Sequence, residues 1–225
     1  MNAEIELTPV QLRVLGALME KSVTTPEYYP LTLNSLIAAT NQKTSREPIM
    51  ELDEDEVLGA LDVLRDHRLV IRVDVAGSRV AKFRQNIGAQ FELNAAEFAV
   101  LTILILRGDQ TLGQIRSRTD RLYAFPSLDV LYEILRGLEY RALDPIVLVK
   151  PVPIRPGNKE VRYRHTLGGE MVRLVEEPVK EKELESHLPG PEGPSDLEML
   201  QAEVASLKVE LAGLKDAFEQ FKGRF

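Results

Sequence analysis

The sequence of 225 residues contains no cysteine and only three histidines, His67, His165 and His187. The absence of cysteine excludes disulfides, thiolate zinc sites and a cysteine nucleophile, and three distant histidines leave few ligands for a metal. No apolar run approaches the roughly 18–20 residues that a membrane span needs, and the acidic N-terminus does not resemble a signal peptide. We therefore expect a cytoplasmic protein with no metal site and no membrane partner.

The motifs that usually mark catalysis or cofactor binding are also missing. The sequence has no glycine-rich phosphate loop, no HExxH and no G-x-S-x-G. Gly168 and Gly169 follow a predicted strand, but the third glycine of a dinucleotide-binding turn is absent. His67 lies beside Arg68 at the end of a predicted helix, and His165 closes a predicted strand, so a structural role explains both better than catalysis. We expect that the protein is not an enzyme and uses no cofactor.

The composition divides the chain into four segments. Residues 173–195 are rich in acids, proline and glycine, and such a segment cannot bury enough apolar surface to fold, so it is predicted to be a linker. A compact region of two similar halves, 1–90 and 91–172, precedes the linker, and one amphipathic segment, 196–225, follows it. Each half is long enough to bury a core of its own. The sequence thus predicts two domains, a linker and a C-terminal helix.

Both halves open with the same helix-start pattern. Thr8 is followed three residues later by Gln11, and Asn94 is followed by Glu97, which is the spacing of a capping box. Apolar residues then recur at helical spacing in each half. A short second helix that begins with Thr-Leu and a longer third helix are predicted to follow.

Two β-like runs follow the third helix of each half, at residues 69–75 and 79–85 and at residues 146–152 and 159–165. The segments that join them contain glycine and, in the second half, proline, as turns do. Three helices followed by a hairpin is the order of a winged helix-turn-helix. We therefore predict an α+β fold, mainly α with small β wings, made of two tandem winged helix-turn-helix domains and a C-terminal coiled-coil helix.

Three stretches of the sequence, residues 24–57, 106–125 and 155–167, resemble the YceH family, an uncharacterised bacterial family. They include the motifs TTPEYYPLTLNSL, LRGDQTLGQIRSRTDRLYAF and RPGNKEVRYRHTL. The resemblance covers about residues 7–167, and the three blocks occur in order. It implies two winged-helix domains and a cytoplasmic location, and it suggests DNA binding. It implies no catalytic residue and no cofactor.

Basic residues cluster in the predicted wings, before the third helix of the first half and around the second helix of the second half. Such residues can hold the phosphate backbone of double-stranded DNA. Strand alternation places Lys82 with Arg84 on one face, and Arg162 with Arg164 on one face. The alternative is that alternating cations keep an edge strand soluble and unpaired. The nucleic-acid candidates are Lys43, Arg46, Arg79, Lys82, Arg84, Arg116, Arg118, Arg121, Arg155, Lys159, Arg162 and Arg164.

An acidic cluster at residues 51–56 precedes the third helix of the first half. A metal site is one interpretation, but the cluster lacks the alternating ligands and central glycine of a calcium loop. The favoured interpretation is a helix start, with Asp53 as N-cap and Glu56 three residues later. Winged helices usually insert the start of this helix into the major groove, where these carboxylates would repel phosphates. The net charge of −7 also departs from the basic footprint of nucleic-acid-binding proteins.

The C-terminal segment carries apolar residues at alternating steps of three and four, the heptad spacing of a coiled coil. In a parallel pair, Glu203 would face Lys208 and Glu210 would face Lys215 of the partner, and both pairs attract. The pattern predicts a homodimer, and the alternative is an amphipathic helix that packs back on its own domain. The predicted dimerisation residues are Leu197, Leu200, Val204, Leu207, Leu211, Leu214, Phe218 and Phe221.

Two functions from different classes remain open. The first is a dimeric, regulatory DNA-binding protein that contacts the phosphate backbone through its wings and the second domain. The second is a protein-interaction scaffold that uses tandem winged helices to bind a partner protein without DNA. Salt dependence separates the two, because contacts with about six phosphates weaken steeply as salt is added.

Overall fold

A computed structural model describes residues 5–74, 80–140, 147–153 and 160–168. The predicted linker and the predicted coiled coil lie outside these residues. In the first half the elements are, in chain order, α1 (Pro9–Thr24), a 3-10 turn (Pro26–Tyr28), β1 (Leu31–Thr32), α2 (Leu33–Thr40), α3 (Glu54–Asp66), β2 (Val70–Val73), β3 (Lys82–Gln85) and α4 (Ile87–Gln90). In the second half they are α5 (Ala95–Arg107), β4 (Gln110–Thr111), α6 (Leu112–Thr119), α7 (Leu128–Glu139), β5 (Val149–Val152) and β6 (Arg162–His165). The described part is mixed α/β with small antiparallel sheets, compatible with a winged-helix-like α+β fold.

The helix starts follow the capping patterns in the sequence. The Thr8 hydroxyl accepts from the Gln11 N–H, and the Gln11 side chain accepts from the Thr8 N–H at 2.9 Å. Asn94 caps α5 through the same reciprocal bonds with Glu97. At α3, Asp53 is the N-cap, and the Glu56 carboxylate accepts from the Asp53 N–H at 2.9 Å. The acidic cluster therefore begins a helix, as the favoured interpretation predicted.

Each half contains a three-stranded antiparallel sheet with the same strand order. The orders are β1-β3-β2 and β4-β6-β5. The sequence predicted the two longer strands of each sheet but not β1 and β4. These two strands have two residues each, which is too short for an alternation pattern to be visible.

The core is continuous between the two halves. Helix α5 is buried from Phe98 to Leu106, because a helix that is apolar on all sides must be surrounded by protein. It packs against α1, where a Cβ added to Gly16 would lie 2.7 Å from the Leu106 side chain and 2.9 Å from that of Ile105. Although α5 is this apolar, none of the helices in the described part combines the length and hydrophobicity that a bilayer crossing requires.

Candidate nucleic-acid interface

The two wing arginines of β6 both turn towards Asp109, in the turn between α5 and β4. Arg164 forms a bidentate ion pair with its carboxylate, with Nε–Oδ1 and Nη2–Oδ2 distances of 2.7 and 2.6 Å. Arg162 donates to the Asp109 carbonyl at 3.0 Å and to the Gln114 side chain at 3.4 Å. Both side chains thus reach the same residue, which is compatible with the shared strand face that alternation predicted. The Asp109 carboxylate already occupies the Nε and Nη2 donors of Arg164.

The three candidate arginines on and after α6 differ in their contacts. Arg116 donates to the Pro126 carbonyl at 3.2 Å. Arg118 donates to the Gln110 side chain and lies 3.5 Å from the Glu47 carboxylate. Arg121 is exposed, in the turn that follows the helix. Of the three, only Arg121 is directed to solvent without a hydrogen bond or ion pair to the described residues.

Arg46 is not a surface residue, because its guanidinium is completely buried. It forms a bidentate pair with Glu20, at 3.1 Å from Nη1 to Oε1 and 2.7 Å from Nη2 to Oε2. It also donates to the Ala39 carbonyl at 3.0 Å. Lys43, three residues earlier in the same loop, is exposed. The two cations are close in the sequence, but Lys43 faces solvent and Arg46 faces the interior. Arg46 therefore does not belong to the candidate interface.

A second buried arginine, Arg13 on α1, holds the same loop between α2 and α3. Arg13 donates to the Thr40 carbonyl at 3.4 Å and to the Pro48 carbonyl. Burial, together with the charge of Arg46, lowers the pKa of Arg13 to about 10. The two guanidinium groups therefore lie inside the first half and fix its loop, and that of Arg13 stays charged at neutral pH.

The middle of this loop joins the two halves through Glu47. Its backbone N–H donates to the Leu106 carbonyl at 2.9 Å, at the C-terminal end of α5. Its carboxylate accepts from Arg107 at 3.2 Å and lies 3.5 Å from Arg118. Arg118 thus contributes to the contact between the halves, which is a structural use that the sequence did not indicate.

In the first half, the strand β3 carries two of the candidate cations. Arg84 is exposed and Lys82 is half-buried, on either side of the buried Phe83. Beside this strand, burial raises the pKa of the Tyr29 phenol to about 12, although its hydrogen bond from the Gln85 N–H and the charge of Arg84 act the other way. Among the described residues, β3 thus presents an exposed Arg84, whereas Arg162 and Arg164 of β6 are half-buried. The candidates Arg79, Arg155 and Lys159 lie outside the described residues.

His165 closes β6 as the sequence predicted, and it is buried. Desolvation lowers its pKa to about 4, the nearby Asp109 opposes this shift, and Arg164 adds to it. The imidazole is therefore neutral at physiological pH.

A sequence model for one family, described as "Protein of unknown function, DUF480", matches residues 7–158, which include most of the described elements. The chain belongs to the DUF480 family. It is 41% identical over 225 residues to a UPF0502 protein of Azoarcus sp. strain BH72, which covers 100% of this chain and 96% of the relative. A UPF0502 protein of Opitutus terrae is 50% identical over 175 residues, or 78% of this chain and 75% of the relative. One of Pelobacter propionicus is 41% identical over 223 residues, covering 99% of both.

In this DUF480 chain, the third helix of each half carries more acids than bases. Helix α3 has five acidic residues and one arginine, and α7 has three acidic residues and one arginine. Glu54, Asp55 and Asp62 of α3 are exposed, and so are Asp129 and Glu133 of α7. Phosphates would be repelled by both helices, because these exposed carboxylates share their charge sign.

The same two helices expose apolar side chains, and sequence reasoning missed these residues. Leu58 on α3 is 37% exposed. On α7 the exposed fractions are 41% for Leu128, 41% for Val130 and 44% for Tyr132. The signal was present in α7, where Leu131, Leu135 and Leu138 complete the buried stripe at helical spacing and leave the other apolar residues outside it.

Proposed function

We propose that this DUF480 protein is a protein-interaction module of two tandem winged-helix units, whose third helices contact a partner protein. The observation that carries this proposal is the surface of α3 and α7, which combines carboxylates with exposed apolar side chains. Protein interfaces use apolar anchors surrounded by polar groups. A helix that reads DNA instead presents cations and amides to phosphates and base edges.

The internal contacts of the arginines support the same choice. Arg46, Arg118 and Arg164 bind carboxylates of the protein itself. For Arg46 and Arg164, whose carboxylate partners Glu20 and Asp109 are 13% and 19% exposed, serving a phosphate would leave a largely buried carboxylate unpaired, which is costly. Fewer cations are therefore free for DNA than the sequence alone indicated.

DNA binding through the backbone is the second candidate, and one observation favours it. Lys43, Arg84 and Arg121 are exposed cations, and cations of this kind can hold phosphates without reading sequence. We propose further that the resemblance to the YceH family reflects common ancestry, and that the protein acts in the cytoplasm.

Capture of the tagged full chain with and without nuclease tests the proposal. We expect a protein partner that stays bound after nuclease treatment and on raising salt from about 50 to about 200 mM, because apolar contacts tolerate salt. DNA binding through about six phosphates would fall by about three orders of magnitude over the same range. Capture that nuclease abolishes, together with a loss of duplex affinity in Lys82→Ala/Arg84→Ala, would replace this proposal by the DNA-binding one.

We also propose that residues 197–221 form a parallel coiled coil that makes the protein a homodimer. Light scattering on the full chain should give the mass of a dimer, and a shortened chain ending at Ser195 should give that of a monomer. Leu207→Asp, at a core position of the heptad, is expected to break the dimer. Val209→Asp, at an outward position two residues away, is the matched control and should leave it intact. A shortened chain that remains dimeric would place the interface in the winged helices.

A further inference from the structure

Residues 5–7, which precede α1, are bound to residues at the other end of the described chain. The Leu7 N–H donates to the Leu167 carbonyl at 2.8 Å, and Leu7 forms a parallel bridge with Gly168. Leu7 and Leu167 are both buried, so the core encloses this contact. We name residues 5–7 the N-terminal strap, because they connect the start of the first half to the end of the second.

The start of α1 fixes the direction of the N-terminal strap. Thr8 exchanges hydrogen bonds with Gln11, so the backbone that immediately follows Leu7 is held in place. Leu7 precedes the N-cap, and the buried Leu12 is the fourth residue of the helix, which is the spacing of a hydrophobic staple. A staple explains why the Leu7 side chain is buried. It does not explain the bond from the Leu7 N–H to the second half.

The corresponding leucine of the second half forms a local contact instead. Leu93 precedes the N-cap Asn94 as Leu7 precedes Thr8, but its N–H donates to the carbonyl of Gly88 in α4 at 2.9 Å. Leu93 is half-buried, whereas Leu7 is buried. The same sequence pattern therefore closes locally in one case and across the two halves in the other.

Backbone hydrogen bonds continue from the N-terminal strap into the second wing. Thr166, which precedes Leu167, donates to the Leu148 carbonyl at 3.1 Å. The Leu148 N–H in turn donates to the carbonyl of Leu138 in α7 at 3.3 Å. The contact of Leu7 thus lies at one end of a series of bonds that joins the end of β6 to the start of β5 and to α7.

The first wing has the same series of bonds but a different anchor. Asn86 donates to the Leu69 carbonyl at 2.7 Å, and Leu69 donates to the carbonyl of Leu64 in α3 at 2.8 Å. The next residue, Ile87, begins α4, and its carbonyl accepts from the Phe91 N–H at 3.0 Å. The carbonyl that α4 satisfies in the first half is therefore equivalent to the one that the N-terminal strap satisfies in the second.

We propose that the N-terminal strap is a latch for the second wing. With Leu7 bound, the end of β6 is held beside Leu148, and Arg164 stays paired with Asp109. Release of Leu7 frees this end of β6 and leaves the first wing closed, because α4 anchors the first wing within its own half. A ligand or partner that displaces residues 5–7 thereby acts on the second wing alone.

Hydrogen exchange of the backbone amides in the full chain tests the latch. Leu7→Ala is expected to speed the exchange of the β6 amides by at least about tenfold, because truncation of a buried leucine shifts an opening equilibrium by more than that factor. The amides of β3, the equivalent strand of the first wing, should exchange as in the parent. Glu6→Ala, which changes the exposed neighbour of Leu7, is the matched control and should leave both strands unchanged.

The parent protein provides a second measurement that does not depend on the folding of a variant. The Leu7 and Thr166 amides should exchange at the same rate and with the same dependence on urea, as members of one opening unit. The rate for Asn86, the equivalent of Thr166 in the first wing, should differ from theirs.

Four results would overturn the latch. They are unchanged exchange of β6 in Leu7→Ala, an equal increase in β3 and β6, rapid exchange of Leu7 while Thr166 stays protected, and one common rate for Leu7, Thr166 and Asn86. The second and the fourth would show that the two wings open only together. The third would show that the N-terminal strap opens without releasing the wing.

Discussion

Replacing Glu20 with alanine is expected to lower the free energy of unfolding by about 3–5 kcal/mol, the usual cost of removing one partner from a buried ion pair. The Arg46 side chain is completely buried, and that of Glu20 is 13% exposed. Without the carboxylate, the buried guanidinium would be left with the Ala39 carbonyl and its other neutral acceptors, and with the charge of Arg13 close by. Urea unfolding of the parent and the variant measures the difference.

The matched control is Asp62→Ala, which removes a carboxylate from an exposed pair. Asp62 lies 3.0 Å from Arg65, and the two side chains are 72% and 42% exposed. Such a pair is worth at most about 1 kcal/mol. The double variant Glu20→Ala/Arg46→Met should recover part of the lost stability, since it removes the unpaired charge. If Glu20→Ala costs no more than Asp62→Ala, the buried pair does not hold the loop in place.

Alanine at Gly16 is expected to destabilise the protein by up to about 2 kcal/mol. The added methyl would lie 2.7–2.9 Å from the side chains of Leu106 and Ile105, so α1 and α5 would have to separate, and overpacking a well-filled core costs about 1–3 kcal/mol. The gain in helix propensity, about 1 kcal/mol, offsets part of this cost. Denaturant unfolding again gives the value.

Gly59→Ala is the control, and it is expected to change the free energy of unfolding in the opposite direction. Gly59 lies within α3, and a Cβ there would meet nothing within 4 Å. The same substitution should raise the free energy of unfolding by about 0.5–1 kcal/mol, because only the propensity changes. A stabilising effect at both positions would show that α1 and α5 adjust without strain.

Much of the fold was predictable because local chemistry decides it. The caps at Thr8, Asn94 and Asp53 depend on residues only three positions apart, and the strand pairs depend on adjacent runs. Strands β1 and β4 were not predictable, since each forms only when a distant strand supplies its hydrogen bonds. The predicted linker and the predicted coiled coil stay predictions.

The candidate site was predicted less well, because the sequence does not show whether a charged side chain faces solvent or is buried against a partner. Arg84 and Arg46 have the same chemistry, yet one is exposed and the other is buried against Glu20. The contact between Arg118 and Glu47 joins residues far apart in the chain, so no local pattern indicated it. The exposed face of α7 became visible only when the buried leucines were known.

The contact between α1 and α5 has a consequence for any partner that touches both halves. Since Gly16 is packed against α5 and Glu47 binds both Arg107 and Arg118, α3 and α7 are presented with a spacing set by the core. A partner that reaches α7 then meets α3 at a high effective concentration, provided that its own two contacts have the same spacing. One with a different spacing gains nothing from the second contact. On the proposed interaction function, the packed core would select partners by the spacing of their contacts as well as by their chemistry.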